Sequence, residues 1–385
     1  MQVVRRTALP CPASSMENIS IMGILRNNVG KDLSTVAMPI ALNEPINLLQ
    51  KLAEELEYSS LLDAASKTHD PVERLCLMAG FVVSGYSSTV HRSARKPFNP
   101  LLGETYEFDR PDLGFKFLAE KVSHHPAIMA CHAISPNYIF YQDSLLKTKF
   151  WGKSMELNNI GTVNVQFPAL EEHYVWQKLT TSMRNMFSSS RSLEHHGTIK
   201  IISKLTGHYC ELNFKESGYF SSANNEVEGA IYAPNAKKMI SVGGRWDHSI
   251  NKYSDSSPNK LEVIWRANPF PANHVENYGF TQFAIELNEL TPDLEDRLPN
   301  TDTRYRTDQR LYEDGRSDDA EAEKLRLEQK QRDFRKENDT PTNPWSPQYF
   351  KLVESKDSES GSCWTYNGTY WESNGKFQNY IDLYS

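Results

Sequence analysis

The chain has 385 residues, with 42 basic against 49 acidic side chains and a net charge of −7. That balance excludes broad nucleic-acid binding and any membrane anchor that relies on overall positive charge, leaving only local basic patches such as Arg5-Arg6 and Arg92 to Lys96. Hydrophobic residues at 39% and charged residues at 24% are those of an ordinary globular protein, while no apolar run approaches the roughly 20 residues that span a bilayer.

Taken in chain order, residues 1 to about 40 hold an apolar run, Ile19 to Leu25, in which Ile21, Leu25 and Val29 stand at helical spacing. The spacing predicts a short amphipathic segment, either packed on the core or covering something. The N-terminus lacks the apolar centre of a signal peptide. Residues 44 to 90 are helical in pattern, with Leu48, Leu49, Leu52 and Leu56 followed by Leu75, Met78 and Val82. Asp70-Pro71 supplies a capping residue and then a proline at the first helical position.

From about 100 to 270 the period changes to two. Thr162–Phe167, Thr198–Ile201, Tyr209–Phe214, Gly229–Tyr232 and Leu261–Trp265 alternate or fit short strands between Gly, Asn and Ser. So many strands predict a large antiparallel sheet or barrel, which must close or cover its edges and which can hold a ligand cavity. After 280 helix returns. Ser317 to Lys336 is strongly charged, acidic residues first and basic residues last, in keeping with the helix dipole. The tail after 337 predicts irregular structure with a short hairpin around Trp364 and Trp371.

The most informative stretch is Glu120-Lys121-Val122-Ser123-His124-His125-Pro126. Pro126 biases His125 toward extended backbone, so this is a strand end or turn. Two imidazoles and Lys121 offer donors to an anion, most simply a phosphate. Lys324, Glu328 and Arg332 fall at i, i+4 and i+8 on one helix face; alone they fit a solvated salt-bridge ladder. Lys96 and Asn99 precede the turn Pro100 to Gly103, where turn chemistry accounts for the asparagine. A second pair, His195-His196, is followed by glycine and reads as a surface turn.

Other chemistries lack their residues. Gly23 and Gly30 are separated by six residues and Asp32 stands where a phosphate loop needs Ser or Thr. No nucleophile elbow or zinc helix is present. Cys11, Cys76, Cys131, Cys210 and Cys363 are odd in number and scattered, which suits free thiols in a reducing compartment and offers no zinc spacing. No metal and no cofactor is expected.

The Glu120 to Pro126 run resembles the signature of the oxysterol-binding-protein-related family, Glu-Gln-Val-Ser-His-His-Pro-Pro. It departs at Lys121, where glutamine is usual, and at Ala127, where a second proline is usual. Lys96 to Thr105, Phe150 to Ser154, and Asn277 to Phe280 through Glu286 to Glu289 resemble further blocks of the family, in order over nearly the whole chain. The resemblance, with a fungal member as the expectation, implies an α+β fold: a large antiparallel β-barrel enclosing a lipid tunnel. It divides the single domain into a lid (1–40, with Ile19, Ile21 and Leu25), a helical segment (41–95), a barrel (96–275) and a C-terminal subdomain (276–385). It implies no catalysis. Lys96, Asn99, His124, His125, Lys324, Glu328 and Arg332 would hold the headgroup of phosphatidylinositol 4-phosphate, with Lys96, Lys324, Arg332 and partly protonated histidines balancing its phosphate. The function implied is carriage of that lipid between cytosolic membrane faces, exchanged for a sterol or phosphatidylserine, in a cytoplasmic protein that touches membranes transiently at contacts of the endoplasmic reticulum with the plasma membrane or Golgi. A phosphoinositide sensor or tether that moves nothing, and a phosphoinositide hydrolase, are the alternatives.

Overall fold

Helix Pro71–Ser87 shows why its sequence folds as it does. Asp70 accepts hydrogen bonds from the backbone N–H groups of Val72 (2.7 Å) and Glu73 (3.2 Å), and Pro71 takes the first helical position. Its buried stripe, Leu75, Met78, Val82 with Phe81, faces the sheet. Asn47 and Gln50 form a reciprocal cap at the start of the preceding helix, Leu48–Ala53. This computed structural model describes residues 4–14, 38–93, 95–151, 154–185, 191–216, 225–340, 342, 344–358, 361–373, 377 and 381–385. Ile19, Ile21 and Leu25, expected as a lid, lie outside the described residues.

Among the described residues, fourteen strands make one antiparallel sheet. Neighbours in sequence pair from Thr105–Arg110 at one edge to Ser257–Arg266 at the other. One hairpin, Thr162–Phe167 with Glu172–Gln177, leaves this path to pair with Ile139–Phe150 and Ser192–Ser203. The two edge strands do not pair with each other. The sheet instead curls around helices Leu48–Ala53 and Pro71–Ser87, whose residues line an interior cavity together with those of its strands. Helix and sheet meet closely: a side chain at Gly80 would stand 2.8 Å from Ile264 on the far edge strand.

Strand Phe115–Ser123 is packed on both faces, and the alternation divides its labour. Phe117 and Ala119 point into the main core. Leu118 and Val122 point outward, where Tyr349, Phe350 and Tyr370 cover them. Glu120, on that outer face, accepts from the N–H groups of Gln348 (2.8 Å) and Tyr349 (2.9 Å), pinning the hairpin Phe350–Glu354/Ser362–Tyr366. Burial pushes the Glu120 carboxyl up to about 7 against those two bonds.

The charged helix runs Ser317–Asn338 and buries Ala320, Lys324 and Leu327. Residues near the N-terminus dock on the region before it: Arg6 donates to Ile285 O (2.7 Å) and Glu313 (2.7 Å), and Leu9 to Asn277 (2.7 Å). Among the described residues, no helix is long and apolar enough to cross a membrane.

Candidate functional site

The cavity inside the sheet measures about 330 Å³. Its lining is mostly apolar, from Leu48, Leu52, Phe81, Met129, Leu157 and Trp176 among others. Two groups of polar residues interrupt it.

The first group gathers most of the residues singled out in the sequence. Lys96, Asn99 and Lys121 line the cavity. Lys121 donates to Asn99 Oδ1 (3.3 Å). Burial, followed by repulsion from Lys324, holds the Lys96 amine down to about 8, so those two lysines are neighbours. Lys324 is buried; its amine meets Glu328 (2.8 Å) and the carbonyl of Met38 (3.0 Å). The helix is fixed to the turn after Asn99 by Leu102 N–H, which donates to Gln331 (2.8 Å).

His124 and His125 occupy the turn between strands Phe115–Ser123 and Ile128–Ile134, with a cis bond from His125 to Pro126. Their rings stand 4.7 Å apart, centroid to centroid. Burial first, then Lys121 and Arg335, push His124 down to about 3. His125 is exposed and also lowered, by desolvation and Arg335. Burial first, and then the neighbouring cations, disfavours the protonated form of both rings, against the expectation of partly protonated histidines. His124 Nδ1 is buried and has no hydrogen-bond partner among the described residues.

Arg332 departs from the expected row. It is exposed and donates to Gln329 (2.9 and 3.0 Å). Four residues advance a helix by about 40° beyond a full turn, so i+8 has drifted about 80° from Lys324, whereas i+11 returns to within about 20°. Arg335 sits at that position, and it is the arginine felt by both histidines. The eleven-residue step was the sequence signal for it.

The second polar group was not foreseen. Arg92 pairs with Glu44 (2.8 Å) and Glu54 (2.6 Å), stacks over Phe280 (4.6 Å), and Lys51 also meets Glu54. All four charged residues line the cavity. Lys178 meets Glu55, and Gln142 donates to the same carboxylate (2.9 Å). His195 is 3% exposed and bonded to Thr89 (2.8 Å) and Thr181 (2.9 Å). It lies in strand Ser192–Ser203 and lines the cavity, not a surface turn. Residues 195, 199 and 201 share one face; the alternation runs on through Gly197, which adopts φ +112°. Among the described residues, no three His, Cys, Asp or Glu side chains group to hold a metal ion.

Comparison with known proteins gives concordant matches. A family model described as "Oxysterol-binding protein" matches residues 20–375. Human oxysterol-binding protein-related protein 7 is 47% identical over 368 residues, covering 95% of this chain and 43% of that protein. Arabidopsis thaliana oxysterol-binding protein-related protein 1C is 41% identical over 383 residues, covering 96% of this chain and 46% of its own length. The chain thus spans less than half of these two relatives. The ORD of Osh3 from Saccharomyces cerevisiae, solved with PI(4)P, superposes with a TM-score of 0.86 at 36% identity, covering 98% of this chain and 97% of that one. The Osh1 ORD domain solved with cholesterol superposes at 0.89 with 33% identity, covering 99% and 95%.

Proposed function

Because this chain belongs to the oxysterol-binding protein family, we propose that it is a lipid carrier. It takes phosphatidylinositol 4-phosphate from one membrane face, shields the acyl chains in the cavity, and releases the lipid at another face in exchange for a second lipid such as a sterol. The observation that carries this reading is the joining of one apolar cavity to the cluster Lys96, Asn99, Lys121, His124, Lys324 and Glu328. An apolar wall takes chains and a cluster of cations takes a phosphate. The PI(4)P bound by the Osh3 ORD and the cholesterol bound by the Osh1 ORD support the same pairing of ligands.

In this reading Lys96, Lys324 and Arg335 meet phosphate oxygens, Asn99 and Glu328 meet inositol hydroxyls, and the histidines donate N–H groups. A phosphomonoester brings about −1.5 to −2 charges, which offsets the mutual repulsion among the cations of the cluster. Arg332 joins by exchanging its exposed Gln329 contact, at little cost in a solvated position. Burial of apolar surface stabilises at roughly 25 cal/mol per Å², so a chain inside the cavity gives up little on leaving a bilayer. No bond need be made or broken: the protein acts as a carrier, not an enzyme, with its transient partner the membrane surface.

The test is a transfer assay between two liposome populations. His124→Ala with His125→Ala should abolish phosphoinositide extraction while leaving the circular dichroism spectrum unchanged. Extraction at wild-type efficiency by the folded double variant would sink the headgroup assignment. A wild-type protein that binds donor liposomes and moves nothing would make it a sensor or tether.

A further inference from the structure

We propose that Lys121 is a phosphate-binding residue, its amine meeting the ligand's phosphoryl oxygens from the cavity wall beside Asn99. The inference rests on the reading of the ligand as a phosphorylated lipid and adds a residue and a proton to it. It begins with strand geometry. Phe117 and Ala119 face inward, so the next residue of that face is Lys121. Lys121 stands in a register irregularity between Glu120 and Ser123, just before the histidine turn.

Lys121 is 0% exposed, yet it lines the cavity. Its amine has one partner, Asn99 Oδ1 at 3.3 Å, and makes no ion pair among the described residues. The carboxylate whose charge it feels, Glu104, is already held by Arg306 (3.1 Å), Asn47 (2.6 Å) and the N–H of Leu101 (2.7 Å). Two other cations of the cluster are paired, Lys324 with Glu328 and Arg335 with Asp339 at 3.4 Å, whereas the Lys96 and Lys121 amines make no ion pair among the described residues. A buried amine with a single neutral partner destabilises the empty protein. Glutamine would satisfy Asn99 without that cost. An anion in the cavity supplies the missing partner.

Proton linkage follows from the same burial. Desolvation holds the Lys121 amine down to about 7 in the empty cavity, with Glu104 opposing. The groups that face it are Glu104 from the preceding turn and His124 and His125 from the following one. Lys96, Lys324 and Glu328 interact nearby, as does Arg335 with the histidines. A phosphate dianion favours the ammonium, so above pH 7 the neutral amine, one solvent proton and the dianion combine into an ammonium–phosphate pair. The bound value lies above the free value. The gain in affinity is therefore complete below the free value of about 7 and falls as pH rises past it, by up to about tenfold per unit. The His124 imidazole titrates well below this window, and His125 is shifted in the same direction. Lys96, held to about 8, titrates within its upper part.

The experiment measures binding to phosphatidylcholine vesicles carrying phosphatidylinositol 4-phosphate, from about pH 6.5 to about pH 9. Calorimetry in two buffers of different ionisation enthalpy counts the protons taken up. Wild type should weaken from about pH 7 upward and take up a proton on binding. Lys121→Gln should fold, bind more weakly, and delay the fall to about pH 8, the value set by Lys96. Lys121→Met gives the same readout if the glutamine variant does not fold. Lys121→Arg should bind without the early fall, since arginine keeps its charge throughout. Lys121→Gln with wild-type affinity, slope and proton uptake overturns the proposal while leaving the lipid reading intact. Wild type that ignores these vesicles overturns the lipid reading and the proposal with it. In a parallel arm without vesicles, inorganic phosphate that reproduces the Lys121-dependent proton uptake supports the residue's role and makes the ligand a free phosphate.

Discussion

Replacing Arg92 by methionine should destabilise the protein severely, and more so at alkaline pH. The guanidinium is the centre of a buried group: Nε and Nη2 meet Glu44 at 2.8 Å, and Nη1 meets both Glu54 oxygens at 2.6 and 2.7 Å. Methionine keeps an apolar stem over the Phe280 ring but leaves two carboxylates to share Lys51. Removing one partner of a buried ion pair costs about 3–5 kcal/mol, a large part of the roughly 5–15 kcal/mol that holds a protein folded. An unfolding entropy of about 2.1 cal/mol/K per residue gives about 0.8 kcal/mol/K for this length, so the melting temperature should fall by about 4–6 °C. The sign of the pH effect is fixed by what each state binds. Burial alone would raise the Glu54 carboxyl; Arg92 and Lys51 outweigh it and hold it low. Without Arg92 the folded value rises above the unfolded one. The penalty is then present above the ordinary carboxylate range and is relieved as pH falls through the raised value. Thermal unfolding followed by circular dichroism at pH 8 and pH 5.5 would check this, and adding Glu44→Gln to the variant should recover part of the loss. A melting temperature within about 1 °C of wild type at pH 8, or a gap that widens toward acid, would refute the reasoning.

His195→Ala should cost about 1–3 kcal/mol, because it strands the hydroxyls of Thr89 and Thr181; an unchanged denaturant midpoint would return this residue to the surface. The part of stability that His195 carries should also fall below pH 6.5. Burial pushes it down to about 3, so the unfolded chain takes up a proton that the folded one refuses, with a slope that approaches about 1.4 kcal/mol per unit between the two values. The raised Glu120 carboxyl opposes this in the whole protein, so the check is the gap in urea-denaturation midpoint between wild type and His195→Ala, which should shrink from pH 6.5 to pH 5; a constant gap would contradict it.

Local signals were legible in the sequence where the physics is local. Asp70 and Pro71 mark a helix start because cap and first turn are adjacent in the chain. Thr162–Phe167 and Tyr209–Phe214 are strands at the predicted bounds because alternation needs only neighbours. The barrel-like sheet and the long charged helix follow from the same periods, and the motif blocks supplied the arrangement. What failed depends on distance or phase. Arg92 finds its carboxylates 48 and 38 residues away, and no spacing rule links them. His195 was misread because the glycine after the pair looks like a turn signal, whereas the alternation continues through Gly197 to Ile199. Arg335 was not foreseen beside Arg332, because a step of eight looks regular while the step of eleven is the one that returns to the face of Lys324. The downward shift of His124 was not foreseen because composition shows neither its burial nor the cations packed beside it.

Lys324 repays a count of donors. An ammonium has three N–H groups. One serves the carbonyl of Met38 at 3.0 Å and one serves Glu328 at 2.8 Å. Among the described residues the third has no acceptor. A single nitrogen is therefore a three-way joint with two arms filled: one on the backbone at residue 38, one on the helix, and one open among the described residues. An acceptor that fills the open arm displaces neither of the others. It is tied through that one atom to the backbone at residue 38, so occupancy of the joint and the grip on that backbone should rise and fall together.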